Sequence, residues 1–218
     1  MMKRDLSEPH SLARSKQFQP KDLPSDEQIR AVFEKSSDDE KIWLSLLVMS
    51  GRRGIDISRL KWRDVQILEL EMTCVLERDK ASKGSPVSFV CKWMDLDVPG
   101  IETKPIKKWL KTNKEKSDKS DYVVNMSQNG ENTRQQQFIL FKQKISRRCL
   151  FCIHGLRRRR AVIELIDGKS QDRVSSKIGW KSKTSIFTYI SLSSDQIKNF
   201  ENYSAFQIFM NNQHANRN

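Results

Sequence analysis

Apolar residues recur with helical spacing near the start of the chain. Ser25 and Gln28 have the spacing of a capping box in front of an apolar face over 29–33, which predicts a helix beginning after Ser25. The next segment, 40–50, is apolar over most of its circumference, which predicts a buried helix. Gly51 provides a natural end to that helix.

Strand-like composition is confined to one region in the middle of the chain. Residues 71–78 and 87–93 are rich in apolar and β-branched side chains, and the polar segment 79–85 separates them. This pattern predicts an antiparallel hairpin. A third short strand is predicted near 95–98, where charged and apolar residues alternate.

Helical spacing returns in the second half of the chain. Helices are predicted over 105–111, 131–145, 154–166, 171–178, 184–190 and 195–210. No internal repeat is visible. The order of helices, a small sheet and then more helices predicts an α+β fold dominated by helix.

Charge indicates the class of partner. Lysine and arginine number 40 against 27 acidic residues, for a net charge of +13. Such an excess is typical of proteins that bind nucleic acid, although a solvated basic surface on a ribosomal or membrane-surface protein has the same composition. No apolar run approaches the roughly 20 residues of a membrane span, and the first residues have no apolar core typical of a secretory signal. Four cysteines do not make a disulfide framework, which predicts a reducing compartment such as the cytoplasm.

Three separated segments carry side chains suited to a phosphate. The first is a Gly51-Arg52-Arg53 turn followed by an acidic residue, a leucine, a tryptophan and an aspartate. The second has the pattern His-x-x-Arg over 154–157. The third is Ile-Gly-Trp over 178–180, with Tyr189 nine residues after the tryptophan. Each motif alone is weak, but their order and spacing together resemble the catalytic motifs of the tyrosine recombinase (phage integrase) family.

The first segment departs from the family pattern at two positions. Arg52 stands where the family has an apolar residue, and Asp56 stands where it has glutamate. Arg52 therefore competes with Arg53 for the role of the first catalytic arginine. The downstream spacing to Trp62 and Asp64 favours Arg53.

The other two segments also differ from the commonest pattern. His154 and Arg157 are three residues apart, so a helix places them on one face. Arg158 takes the place of a histidine that often follows this motif. Trp180 stands where many members have histidine, and its indole N–H can still donate to a phosphate oxygen. Tyr189 has the spacing of the family's nucleophile.

The resemblance implies an active site and its chemistry. Arg53 and Arg157 would clamp the phosphate oxygens, His154 would assist proton transfer, and Tyr189 would attack to form a 3′-phosphotyrosyl bond. The family's lysine general acid lies on the β-hairpin, where Lys80 is favoured over the alternative Lys83.

The same resemblance implies how the chain is organised and what it acts on. Residues 1–24 are expected to be a linker or N-terminal arm, 25–190 the catalytic domain, and 191–218 a C-terminal helix or tail. The expected partner is double-stranded DNA, bound by a homotetramer and recombined or integrated as for mobile elements and viral genomes. Neither ATP nor any cofactor is expected. Family members usually carry a further DNA-binding domain in front of the catalytic one, so the chain is expected to be an isolated catalytic domain or a short form.

Two clusters allow a different interpretation. Four consecutive arginines at 157–160 cannot all face one site, so Arg157 is expected to point inward and at least two of the others to meet DNA or solvent. Cys149 and Cys152 lie close to His154, but one Cys-x-x-Cys pair supplies too few ligands for a structural zinc site, and no metal is expected.

Two other functions share these motifs. A type IB topoisomerase has the same fold and chemistry but would relax supercoiled DNA without site preference. A degenerate member of the fold would bind DNA without cutting it.

The aromatic residues of the C-terminal segment generate a prediction about assembly. Phe200, Tyr203, Phe206 and Phe209 recur at three-residue steps, as a docking face would, either on a neighbouring protomer or on the same domain. If docking occurs between protomers, deleting residues 194–218 abolishes higher assembly on DNA, measured by analytical ultracentrifugation. Unchanged oligomerisation would contradict docking between protomers.

Overall fold

A computed structural model of the chain describes residues 23–76, 86–127 and 133–180. Seven helices lie in these ranges: α1 Asp26–Glu34, α2 Asp38–Ser50, α3 Gly54–Ser58, α4 Thr103–Lys116, α5 Arg134–Ser146, α6 His154–Ile166 and α7 Gln171–Ile178. One sheet contains β1 Val65–Ile67, β2 Glu71–Leu76 and β3 Val87–Lys92. Within these ranges, every helix is too short or too polar to cross a bilayer. The predicted α+β fold dominated by helix is confirmed.

Helix α2 is the centre of the core. A capping box starts it, because Ser37 accepts from the backbone of Glu40 while the Glu40 carboxylate accepts from the backbone of Ser37. Its residues are buried from Ile42 to Ser50 without interruption. Trp43 has aromatic edge contacts with α5, with its ring centroid 5.6 Å from that of Phe141. The prediction of a helix buried on most of its surface is confirmed.

The sheet is an antiparallel meander in the order β1-β2-β3, with Cys74 opposite Phe89. Alternate residues of β2, including Met72 and Cys74, point into the core. The predicted hairpin is confirmed, but the prediction of a third strand over 95–98 is wrong. The third strand is β1, which precedes the hairpin.

The alternation over 95–98 has a different cause. Asp95 and Asp97 face arginines of α6, whereas Leu96 and Val98 are buried in the core. A 3-10 turn over Trp93–Asp95 directs the chain along this path. Charged and apolar residues therefore alternate here because they face the arginines of α6 and the apolar core in turn. The alternation does not mark a β-strand.

Two of the later helices have the bounds that the sequence predicts, and the others differ by a few residues at their ends. The predicted bounds of α6 and α7 are confirmed, while α4 begins two residues earlier and extends five residues further than predicted. The early start is possible because Pro105 lies in the first turn of α4, where backbone N–H groups have no helical partner. The helices predicted over 184–190 and 195–210 lie outside the described residues.

Arg134 organises a segment that the sequence pattern did not predict. Val123, Val124 and Met126 are buried and belong to the segment that joins α4 to α5 in the sequence. Arg134 donates to the carbonyl oxygens of Ser58 and Val124 at 2.8 and 2.7 Å. Its burial lowers the pKa of its guanidinium to about 10. A single side chain thus ties the segment to both α3 and α5.

Gly54 generates a prediction about stability, because a Cβ there would lie 2.7 Å from Cζ2 of Trp43. Gly54→Ala should lower the free energy of unfolding by about 1–3 kcal/mol through overpacking, as measured by urea denaturation. The control is the same substitution in a Trp43→Phe background, which lacks that ring atom. The added methyl group should lower the free energy of unfolding by clearly less there. An equal loss of stability in the two backgrounds would contradict the steric explanation.

Candidate active site

The turn between α2 and α3 is packed tightly against two later helices. Gly51 has φ +63°, a backbone conformation that favours glycine. A Cβ at this position would lie 3.1 Å from Cβ of Arg160 in α6 and 3.2 Å from Cγ1 of Ile178 in α7. The first motif is therefore held directly beside the other two.

Arg157 joins all three segments through hydrogen bonds. The residue is only 3% exposed. Nη1 donates to the carbonyl oxygens of Gly51 at 3.0 Å and Ile178 at 2.8 Å, and Nη2 donates to Gly179 at 3.3 Å. The guanidinium carbon lies 5.5 Å from the ring centroid of Trp180. Arg157 is thus oriented by carbonyl groups from the turn and from the end of α7.

Helix α7 ends at Gly179, where the backbone conformation and a close neighbour both favour glycine. Gly179 has φ +78°, and a Cβ there would lie 2.3 Å from Nη1 of Arg52. The next residue, Trp180, is half-buried and donates its backbone N–H to the carbonyl of Ser175 at 2.9 Å. The chain therefore leaves α7 in a fixed direction at Trp180.

The two neighbouring arginines of the first motif occupy different environments. Arg52 is 5% exposed, donates to the carbonyl of Ser176 at 3.0 Å, and lies 5.0 Å from the ring centroid of Phe89. Arg53 is the N-cap residue directly before α3 and is exposed, and its charge acts on His154. Of the two, Arg53 is the arginine directed to the surface beside the second motif.

His154 lies among positive charges. Its pKa is lowered because neighbouring groups desolvate the imidazole, although the residue as a whole retains an exposed surface. The positive charges of Arg157, Arg158, Arg53 and Lys142 lower the pKa further. The lowered pKa favours the neutral imidazole, which is the form that is able to accept a proton. No signal in the sequence had pointed to Lys142, which α5 brings to this site.

Known proteins give a match in structure but not in sequence. Neither a scan against protein-family profiles nor a search of curated proteins finds a match. XerA recombinase aligns with a TM-score of 0.60 at 16% identity, over 82% of this chain and 63% of its own. XerH site-specific recombinase bound to its difH substrate, in a pre-cleavage complex, aligns with a TM-score of 0.52 at 16% identity, over 78% of this chain and 50% of its own.

This chain has the tyrosine recombinase fold. The post-cleavage complex of XerH gives the same result, with a TM-score of 0.54 at 15% identity, over 81% of this chain and 51% of its own. The chain thus spans about half of XerH. The resemblance inferred from the three motifs is confirmed at the level of the fold.

Within this recombinase fold, some predicted site residues lie together and others are outside the described residues. A ring contact and electrostatic effects connect Arg53, His154, Arg157 and Trp180, and hydrogen bonds join Arg157 to the backbone of the other two segments. Lys80, its alternative Lys83 and the nucleophile candidate Tyr189 lie outside the described residues, as does the tail over 191–218. The catalytic roles of all of these residues remain predictions.

The arginine run does not have the predicted arrangement. Arg157 points inward as expected, but the prediction that at least two of the other three meet DNA or solvent is wrong. Arg159 and Arg160 are only 3% and 2% exposed, and Arg158 is half-buried. Buried carboxylates are the physical reason, since Arg159 pairs with Asp26 and Arg160 pairs with Glu164. The (i, i+4) spacing of the second pair was a signal available in the sequence.

The cysteine pair near His154 lies at the surface. Cys149 is half-buried and Cys152 is exposed, between α5 and α6. Across residues 23–76, 86–127 and 133–180, no three histidine, cysteine, aspartate or glutamate side chains are grouped as they would be around a metal ion.

The cations around His154 generate a prediction about its titration. Arg53→Ala should raise the pKa of His154 toward its ordinary value, because a nearby positive charge is lost. NMR titration of the histidine Cε1–Hε1 signals measures this, and His154→Gln assigns the signal among the chain's three histidines. Arg173→Ala is the matched control, since Arg173 is exposed in the first turn of α7. Equal titration of His154 in Arg53→Ala and the parent protein would contradict the proximity of Arg53.

Proposed function

We propose that this chain is a site-specific DNA recombinase that cuts and rejoins DNA through a covalent 3′-phosphotyrosyl intermediate. The observation that supports this most strongly is the convergence of Arg53, His154, Arg157 and Trp180, which come from three separate segments of a recombinase fold. The charge of +13 and the DNA-bound state of XerH in its complexes support DNA as the partner.

The arginines provide the electrostatic part of the mechanism. Hydrolysis or transfer at a phosphodiester builds negative charge on the non-bridging oxygens, and donors fixed in advance stabilise that charge best. Arg157 meets this requirement because three carbonyl groups already orient its guanidinium. Arg53 would approach the same phosphate from the start of α3, and the indole N–H of Trp180 would donate to a remaining oxygen.

The proton transfers require one base and one acid. The imidazole of His154, in its neutral form, would accept the proton of the Tyr189 hydroxyl, and the tyrosine oxygen would attack phosphorus. The bond from phosphorus to the 5′ oxygen would break, and Lys80 would protonate that leaving oxygen. The phosphotyrosyl bond would conserve the energy of the broken bond, so a 5′ hydroxyl from another strand could reverse the step without ATP.

The proposed setting follows from the same chemistry. Recombination between two duplexes requires four cleavages, so we propose that the active form is a homotetramer on DNA in the cytoplasm or at the host nucleoid. Relaxation of supercoiled plasmid without site preference would instead favour a type IB topoisomerase.

The proposed reaction is tested by covalent trapping. A pool of random-sequence duplexes carrying single nicks traps cleavage, because the short strand ending in the 5′ hydroxyl diffuses away. The protein should form an adduct that survives denaturing electrophoresis, and sequencing of the trapped DNA should reveal a preferred site. Tyr189→Phe should abolish the adduct, and Arg157→Ala should slow its formation by about 100- to 1,000-fold.

Two arginine variants serve as controls, and a further outcome would identify the non-enzymatic alternative. Arg53→Ala should lose the adduct while keeping the stability of the parent protein, whereas Arg173→Ala should keep both. An adduct that survives in Tyr189→Phe would exclude this nucleophile. DNA binding with no adduct on any sequence would favour a binding module over an enzyme.

A further inference from the structure

Helix α6 carries two buried arginines whose charges need partners. Taking a guanidinium out of water is unfavourable unless carboxylates compensate its charge. Arg159 has Nη2 2.8 Å from Oδ1 of Asp26 and Nη1 3.0 Å from Oδ1 of Asp97. Arg160 has Nη2 2.5 Å from Oδ1 of Asp95. The arginines thus connect α6 to α1 and to the segment that follows β3.

Glu164 is the second carboxylate around Arg160. Its Oε1 accepts from Nη2 of Arg160 at 2.6 Å, and the residue is only 1% exposed. Burial by itself raises the pKa of Glu164, but Arg160, Lys169 and Lys177 outweigh that effect and lower the pKa to about 2. Glu164 is therefore a fixed negative charge at neutral pH.

Lys177 connects this buried charge to α7. Its Nζ lies 2.7 Å from Oδ2 of Asp95 and 2.5 Å from Oε1 of Glu164. Lys177 is in the last turn of α7, directly before the two carbonyl groups that Arg157 binds at Ile178 and Gly179. The end of α7 is thus held from one side by Arg157 and from another by Lys177.

We propose that Lys177 is a positioning residue, whose ion pairs with Asp95 and Glu164 set the direction in which the chain leaves α7 at Trp180. This inference rests on the proposed function, because the proposed nucleophile, Tyr189, follows Trp180 by nine residues in the sequence. Without Lys177, the last turn of α7 would lose its ion pairs with Glu164 of α6 and with Asp95, and Trp180 would shift relative to Arg157.

Asp95 and Glu164 both keep a cationic partner when Lys177 is removed. Asp95 keeps Arg160, and Glu164 keeps both Arg160 and Lys169, so neither carboxylate is left alone. Lys177 itself is 21% exposed in its side chain, and methionine can fill the space of its stem. Lys177→Met should therefore fold, and its defect should be local.

Lys169 provides a matched control. Its Nζ pairs with the same carboxylate, 2.5 Å from Oε2 of Glu164, and lies 3.3 Å from Oδ2 of Asp167. It precedes α7, and its ion pairs are with Glu164 and Asp167 and not with Asp95. Lys169→Met therefore removes one positive charge from Glu164 without releasing the end of α7.

The test combines a structural readout with a kinetic one. Labelling with 5-fluorotryptophan gives one ¹⁹F signal for each of the five tryptophans, and Trp180→Phe assigns the signal of Trp180. Lys177→Met should shift or broaden that signal and slow single-turnover cleavage of the nicked DNA by about 10- to 100-fold, with unchanged DNA affinity. Lys169→Met should leave the Trp180 signal in place, and Lys177→Arg should restore most of the cleavage rate.

The outcomes distinguish this inference from the proposed function. An unchanged Trp180 signal in Lys177→Met, or an equal shift in Lys169→Met, would overturn the positioning role. A parent protein that forms no adduct on any DNA would count against recombination, but the ¹⁹F comparison would still decide the role of Lys177. Thermal denaturation of each variant checks that a shifted signal does not arise from global unfolding.

Discussion

The guanidinium of Arg157 is the interaction on which the arrangement of the site depends. It donates to carbonyl groups at the end of α2 and at the end of α7, where the last carbonyls of a helix have no backbone N–H partner within the helix. Because these carbonyls accept from a positive charge, their hydrogen bonds are stronger than neutral ones. The same bonds hold the guanidinium in one orientation. A single set of contacts therefore both stabilises the fold and orients the guanidinium that we propose as a phosphate clamp.

Charge is distributed in two layers around α6. The outer layer near His154 contains cations, and their combined field suits a polyanion. The inner layer, with Arg159 and Arg160, is compensated by carboxylates from α1, α6 and the segment after β3. Buried ion pairs of this kind are sensitive to geometry, because losing one partner leaves an uncompensated charge. They therefore favour one relative placement of the helices that carry the candidate site.

Glycine geometry determines how closely the three motifs approach one another. Gly51 and Gly179 both adopt positive φ, and both lie where a side chain would meet a neighbouring element. The sequence shows these two glycines only as residues that end a helix. The tertiary structure adds that each is also a contact point, since Gly179 leaves room for Arg52 and Gly51 leaves room for Arg160. Arg52 occupies space that is available because Gly179 has no side chain.

The sequence by itself determined the local elements and the motif pattern, because capping, hydrophobic period and spacing act over a few residues. It predicted α6 and α7 to the residue and placed His154 and Arg157 on one helical face. Only the tertiary structure decided which of Arg52 and Arg53 is buried and that Arg159 and Arg160 face inward. Those outcomes depend on carboxylates, carbonyls and rings far away in the chain, such as Asp26 and Phe89. A local pattern carries no information about such partners, because they approach only when the helices pack.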